Sequence, residues 1–255
     1  MSQLQQYLGR FSIGTDAIDF GINSQTASLD TGTYYICAHD SESSNQLCEH
    51  LQAEINTHFT GFSTTNVYLD SGFIKIDFTT DANMTFDDSG LATILGMNTS
   101  LTGTSSYTGD AHPRYCWFPS RTASDYPTDI NKFWAEKSTT RVGTTEDGTS
   151  YTVPGNLLYD ATVGYTLLNE AEVIIPGGGT NYAEFQQFWI DVAHAGQPIR
   201  VFPDRTQTGS TDYVTGILGQ KGDDGIGSFL DYSRRHLANY NGFWDVTLPL
   251  LKDAS

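Results

Sequence analysis

The sequence predicts a β-dominated α+β fold, and three observations carry that prediction. Charged residues make up only 17%, while Gly numbers 25 and Tyr and Phe 14 each, a composition that favours strands over helical bundles. Short runs of alternating apolar and polar residues are separated by turn signals such as Asp70-Ser71-Gly72 and Glu146-Asp147-Gly148. Only two stretches, residues 43–59 and 181–195, carry a convincing helical period. At 255 residues the chain can hold one large or two modest domains. The pattern divides into a small α+β module over 1–105 and a β-sandwich or barrel over 106–255, capped by the helix at 181–195.

In chain order, residues 1–30 are weakly patterned, with short strands expected at 11–13 and 18–22 around Gly14-Thr15-Asp16. Gly32 to Ala38 reads as a strand with Tyr35 and Cys37 on one face. Over 43–59, Ser43 and Gln46 resemble a capping box, Leu47, Leu51 and Ile55 repeat every four residues, and Gly61 marks the stop. Strands at 67–69 and 73–78 flank the Asp70-Ser71-Gly72 turn; Ile74, Ile76 and Phe78 alternate with polar residues, so one face is buried. A short apolar turn follows at 91–96. Residues 99–110, rich in Thr, Ser and Gly, read as a linker or exposed loop.

Beyond it, residues 113–118 form an aromatic strand and 131–136 a short helical turn. Residues 139–144 and 150–153 make a second hairpin, and 163–175 a long strand interrupted at Asn169-Glu170. In the helix over 181–195, Phe185, Phe188, Trp189 and Val192 fall at i, i+3, i+4 and i+7, one aromatic stripe that needs a sheet to cover. Asn181 with Glu184 starts it, Gly196 stops it with a left-handed residue, and Pro198 prevents it from resuming. Strands follow at 199–202, 213–218, 229–237 and 243–250, and in the last Trp244, Val246, Leu248 and Leu250 share a face.

Phe185, Trp189, Gly196, Pro198 and Trp244 are therefore the expected structural anchors of the second half. Its helix ending "FW…G-x-P-x-R-x-F-P-D-R", followed by strands and "Y-x-G-F-W-D-V-x-L-P-L", resembles the tail proteins of long-tailed bacteriophages, over Val163 to Leu251. The resemblance is to distal-tail (baseplate hub) and tail-tube components. Over Asp30 to Met97 the order strand, helix with "L-x-x-x-L-Q-x-x-I-N", hairpin and "LATILGM" is similar to a small module in structural proteins of double-stranded DNA viruses and phages.

Charge agrees with a role that does not grip nucleic acid. The net charge is −17, and thirteen Lys plus Arg against thirty acids leave little for clustered phosphate contacts. Residues 1–110 hold two bases against thirteen acids, and residues 111–255 eleven against seventeen. A soluble acidic surface accounts for this, and an acidic channel past which DNA slides without specific binding is the sharper alternative. Cys37, Cys48 and Cys116 lack the spacing of a disulfide framework. No charged-then-apolar leader and no apolar run of membrane-spanning length is present, so synthesis in a host cytoplasm and no membrane partner are expected.

Candidate chemistry is sparse, and neither a cofactor nor a metal is expected. Cys37, His39, Cys48, His50 and His58 have zinc-ligand side chains, but Cys48 and His50 lie two apart on a helix and diverge. Gly177-Gly178-Gly179 lacks the Lys-Ser/Thr pair or G-x-G-x-x-G spacing of a phosphate loop. Asp87-Asp88 and Asp223-Asp224-Gly225 lack an alternating calcium-loop pattern. His194 suits a helix C-terminus, and His112 and His236 have no nucleophile partner, so no enzyme is expected. Trp117 and Trp134, outside the predicted buried stripes, are the candidates for surface contacts, as in a carbohydrate- or receptor-binding module of a virion.

The resemblance implies a non-enzymatic virion structural protein: a subunit of a homo-oligomeric, hexameric ring in a phage tail, joining tube to tip at the baseplate. It implies other tail proteins as partners and the virion as location. The tail tube itself is the alternative position.

Overall fold

A computed structural model describes residues 6–36, 46–87, 89–121, 123, 133–138, 140–155, 157–169, 173, 185–193, 195–204, 212–218, 233–236 and 243–252. The chain is a β-dominated α+β protein, and the described residues form one nine-stranded and one five-stranded sheet with a separate two-stranded hairpin.

The five-stranded sheet comprises β2 (Ile18–Ile22), β3 (Gln25–Leu29), β5 (Asn66–Asp70), β6 (Phe73–Phe86) and β7 (Ser100–Thr108). The 14-residue β6 is its spine. Residues 75–77 and 84–85 of β6 pair with β7 along one edge, so β5 and β2 share the other edge, one on each half. The β5–β6 turn needs two left-handed residues, and Ser71 (φ 53°) and Gly72 (φ 89°) supply them, as the Asp-Ser-Gly signal predicts. Helix α1 (Leu47–His58) lays Leu47, Cys48, Leu51 and Ile55 against β3 and β5, so the four-residue period is its buried stripe. Gln46 occupies its N-cap without a side-chain cap bond, and Ser43 and Cys37 lie outside the described residues. The expected apolar turn after β6 is a short helix, α2 (Ser89–Leu95).

Most of the stretch 99–110, expected as a linker or exposed loop, is the strand β7. The correction has a simple cause. As an edge strand it buries only Leu101 and Tyr107, six residues apart, and most of its Thr and Ser face solvent, so the hydrophobic signal is nearly absent. Strand β3 also escaped the sequence pattern: its hairpin turn uses Asn23 and Ser24, both at positive φ (47° and 72°), with no Gly to announce it.

The nine-stranded sheet runs β4 (Gly32–Tyr35), β1 (Gln6–Ile13), β13 (Pro198–Phe202), β14 (Val214–Leu218), β16 (Phe243–Lys252), β12 (Leu157–Asn169), β9 (Ala135–Ser138). Strand β8 (Cys116–Trp117) joins β1, and β15 (Ser233–His236) joins β16. Residues 131–136 were expected to turn helically; Ala135 and Glu136 instead pair with β12. Sheet membership does not follow the division expected at residue 105, because β1 and β4 belong to the larger sheet. Backbone pairing of β1 with β13 overrides chain proximity.

That central segment is buried on both faces. Leu8, Cys116 and Phe202 enter a core shared with α1 and the five-stranded sheet. Their neighbours Tyr7, Trp117 and Val201 point the other way, into a second core with β12, β16 and the aromatic helix. Period-two alternation thus makes β8, β1 and β13 a wall between two cores. Of the 181–195 helix the described part is one α-turn, α3 (Phe185–Phe188), continued by a π-turn at Trp189–Ala193; Asn181 and Glu184 lie outside the described residues.

Candidate functional site

The predicted anchors converge on the second core. Phe185, Phe188 and Val192 are fully buried, and Trp189 is half-buried at the stripe's margin. Gly196 takes the left-handed conformation (φ 66°); its N–H donates to Ala193 O at 3.0 Å, and Gln197 N–H donates to Val192 O at 2.9 Å. Pro198 is buried and opens β13, and Trp244 packs half-buried beside Val246 on β16.

Trp117, expected at the surface, is 0% exposed. It lies 4.6 Å from Phe185, 5.4 Å from Tyr7 and 5.2 Å from Tyr165 between ring centroids, and the two Tyr hydroxyls share a hydrogen bond of 2.6 Å. A two-residue strand between loops is too short to reveal its face from alternation. Trp134 is half-buried, its indole lying where a side chain on Gly216 of β14 would sit (2.9 Å). The two tryptophans therefore form no shared exposed platform.

A polar clamp holds the π-turn, and the sequence did not announce it. Arg114 donates two hydrogen bonds to the Asp191 carboxylate, Nε at 3.0 Å and an Nη at 2.9 Å. Gln187 Nε2 donates to the same group at 3.1 Å. Asp191 is 8% exposed, so removing it takes away both of these Arg114 hydrogen bonds and that of the Gln187 amide. Because Arg114 keeps a third of its surface in water, Asp191→Ala is expected to cost about 2 kcal/mol, less than a fully buried pair. Urea denaturation of the two proteins checks it; an unchanged midpoint would show that the clamp is dispensable.

The strands of the hairpin β10 (Arg141–Thr144) and β11 (Ser150–Val153) are exposed almost throughout, and among the described residues they pair only with each other. Val142 is 73% exposed, Tyr151 49% and Val153 50%; among the described residues Ile190, at 46%, is the other exposed large apolar side chain. The Tyr151 ring lies across Gly143, where any side chain would collide with it at 2.5 Å. The turn is tightly made: Thr145 N–H donates to Thr149 O (2.9 Å), Thr149 N–H to Asp147 Oδ1 (3.1 Å), and Gly148 is left-handed (φ 86°). Hydrogen bonds from the Thr145 hydroxyl and from Thr149 hold the Asp147 carboxyl below the usual carboxylate range.

Potential ligand groups collect on the outer face of α1. Asp30, His50 and Glu54 each bring one ligand atom within 4.8 Å of the others. Cys48, weighed above with His50, faces the core at 0% exposure, so the two diverge as the helical geometry requires; Cys37 and His39 lie outside the described residues. His112 is structural: Nδ1 lies 2.6 Å from Gly72 O and the ring stacks on Phe73 at 4.3 Å. Asp88, Gly177-Gly178-Gly179, His194 and Asp223-Asp224-Gly225 lie outside the described residues. Among the described residues no helix is long and apolar enough to cross a membrane.

No protein-family model matches the chain, and neither a curated protein nor a solved structure does.

Proposed function

We propose that this chain is a non-enzymatic structural subunit of a virion, assembling into a ring in the tail of a long-tailed bacteriophage. The distal-tail position between tube and tip is the first choice, and the tube wall the second. The observation that carries an assembly role is the β10–β11 hairpin, which holds Val142, Tyr151 and Val153 in water and pairs with no other described strand. A lone two-stranded hairpin is only marginally stable in water, and its open edges and exposed apolar groups are a template for another chain. In a closed ring one such arm per subunit is used at every interface, so a modest contact is multiplied by symmetry. A pair of subunits would need to bury roughly 1,600 Å² for a stable interface, of which the arm is a part. The acidic balance suits a channel that repels DNA and keeps it moving. Placement in a phage tail rests on the resemblance of residues 30–97 and 163–251.

Light scattering with negative-stain microscopy of the full chain tests this. Rings of about six copies, or tubes, are expected to form. The double variant Tyr151→Lys, Val153→Lys is expected to leave the fold intact, because both side chains are half exposed, and to abolish assembly. Assembly that survives the double variant removes the hairpin from the interface. A protein that stays monomeric over the whole concentration range sinks the self-assembling reading and favours a virion receptor-binding module.

A further inference from the structure

The outer face of helix α1 carries His50, Glu54 and His58 four residues apart, so the three side chains stack along one ridge. Beside that ridge stands Asp30, which follows β3 and leads into β4. Ligand atoms of Asp30, His50 and Glu54 lie within 4.8 Å of one another. We propose that Asp30, His50 and Glu54 bind a divalent transition-metal ion of the zinc class, pinning the β3–β4 turn to α1.

Four observations support a site rather than a chance cluster. His50 Nε2 is closed off from solvent and has no hydrogen-bond partner among the described residues, an unmet demand that coordination of an ion would relieve. The His50 ring is held in place: Tyr34 stacks on it at 5.1 Å between centroids with planes only 11° apart. The same Tyr34 donates its hydroxyl to the Asp30 carbonyl at 3.0 Å, so one side chain positions two ligand residues. Behind the third, His58 Nε2 lies 3.2 Å from Glu54 Oε2, the kind of outer partner that orients a ligating carboxylate.

The donor set selects the ion. Calcium wants six to eight oxygens and magnesium a near-octahedral oxygen shell, whereas an imidazole with two carboxylates suits zinc and its transition-metal neighbours. Zinc bound at about 2.0–2.2 Å spaces tetrahedral ligands by roughly 3.4 Å. Rotation of the exposed Asp30 and half-buried Glu54 side chains closes the remaining gap.

The test is calorimetric titration of zinc chloride into the chelator-stripped full chain, with His50→Ala, Glu54→Gln, His58→Gln and Cys37→Ser variants, each checked for an unchanged circular dichroism spectrum. One zinc per chain is expected, raising the melting temperature. His50→Ala and Glu54→Gln are expected to abolish saturable binding, and His58→Gln to weaken it by about tenfold. Full affinity retained in both His50→Ala and Glu54→Gln overturns the proposal, as does the absence of saturable zinc binding to the native chain. Binding lost in Cys37→Ser but kept in His50→Ala assigns the ion elsewhere and also overturns it. Saturable calcium binding that His50→Ala leaves unchanged would overturn the zinc class.

Discussion

Trp117→Ala is expected to destabilise the fold by about 3–5 kcal/mol, the range for emptying a large aromatic from a closed core. The indole is fully buried and touches rings contributed by β1, β12 and α3. Truncation therefore opens a cavity beneath the aromatic helix, and the Tyr7–Tyr165 hydroxyl pair loses the wall that presses it together. Trp117→Phe, which refills most of the volume, is expected to lose clearly less. Guanidinium denaturation of the three proteins decides the matter. If Trp117→Ala kept its midpoint but lost affinity for a glycan, the surface role expected from the sequence would be restored and the packing account abandoned.

Gly96→Ala comes next, with an expected cost of about 2–4 kcal/mol, combining a left-handed backbone penalty with a steric clash. Gly96 follows α2 at φ 69°, and Met97 N–H donates back to Ala92 O at 2.8 Å, closing the helix end. A β-carbon there would come within 2.2 Å of Ala111 O, a backbone atom that has little room to retreat. Ala111 N–H in turn donates to Gly96 O at 3.1 Å, so the loop cannot swing away without losing that bond. Gly196 is the natural control. It too is left-handed (φ 66°) at a helix end, but none of the described residues lies within 4 Å of its missing side chain. Gly196→Ala should therefore cost only about 1 kcal/mol. Equal thermal destabilisation of the two variants would show that conformational preference alone governs, and that the contact with Ala111 yields.

Which elements were readable from the sequence follows from what each one buries. α1 has a dry face and a wet face, so Leu47, Leu51 and Ile55 announce it. β16 alternates Val246, Leu248 and Leu250 inward for the same reason. The hairpins at 66–78 and 141–153 are declared by turns whose Gly residues meet a left-handed demand. β7 failed because its burial is confined to Leu101 and Tyr107, and β3 because Asn23-Ser24 performs a turn usually given to Gly. The aromatic stripe of α3 was legible, but its π-turn depends on Asp191 meeting Arg114, a tertiary event no local period encodes. The ligand cluster was half visible. His50, Glu54 and His58 stand at four-residue spacing in plain sight, whereas Asp30 joins them only through the packing of α1 on β3.

The two-faced wall of β8, β1 and β13 also sets the order in which the chain can fold. β1 is synthesised well before β13, which pairs with Gln6 to Gly9 from far along the chain. Until β13 arrives, Tyr7 and Leu8 have no complete core on either side. Closing so long a loop adds little to the equilibrium cost, since each doubling of length costs only about 0.6 kcal/mol. It weighs far more on rate, because non-local strand pairing must be searched for before burial rewards it. Until β13 is made, the nascent chain thus carries a strand with one edge unpaired at Gln6 to Gly9. That interval, more than the finished fold, is when it is most open to pairing with the wrong neighbour.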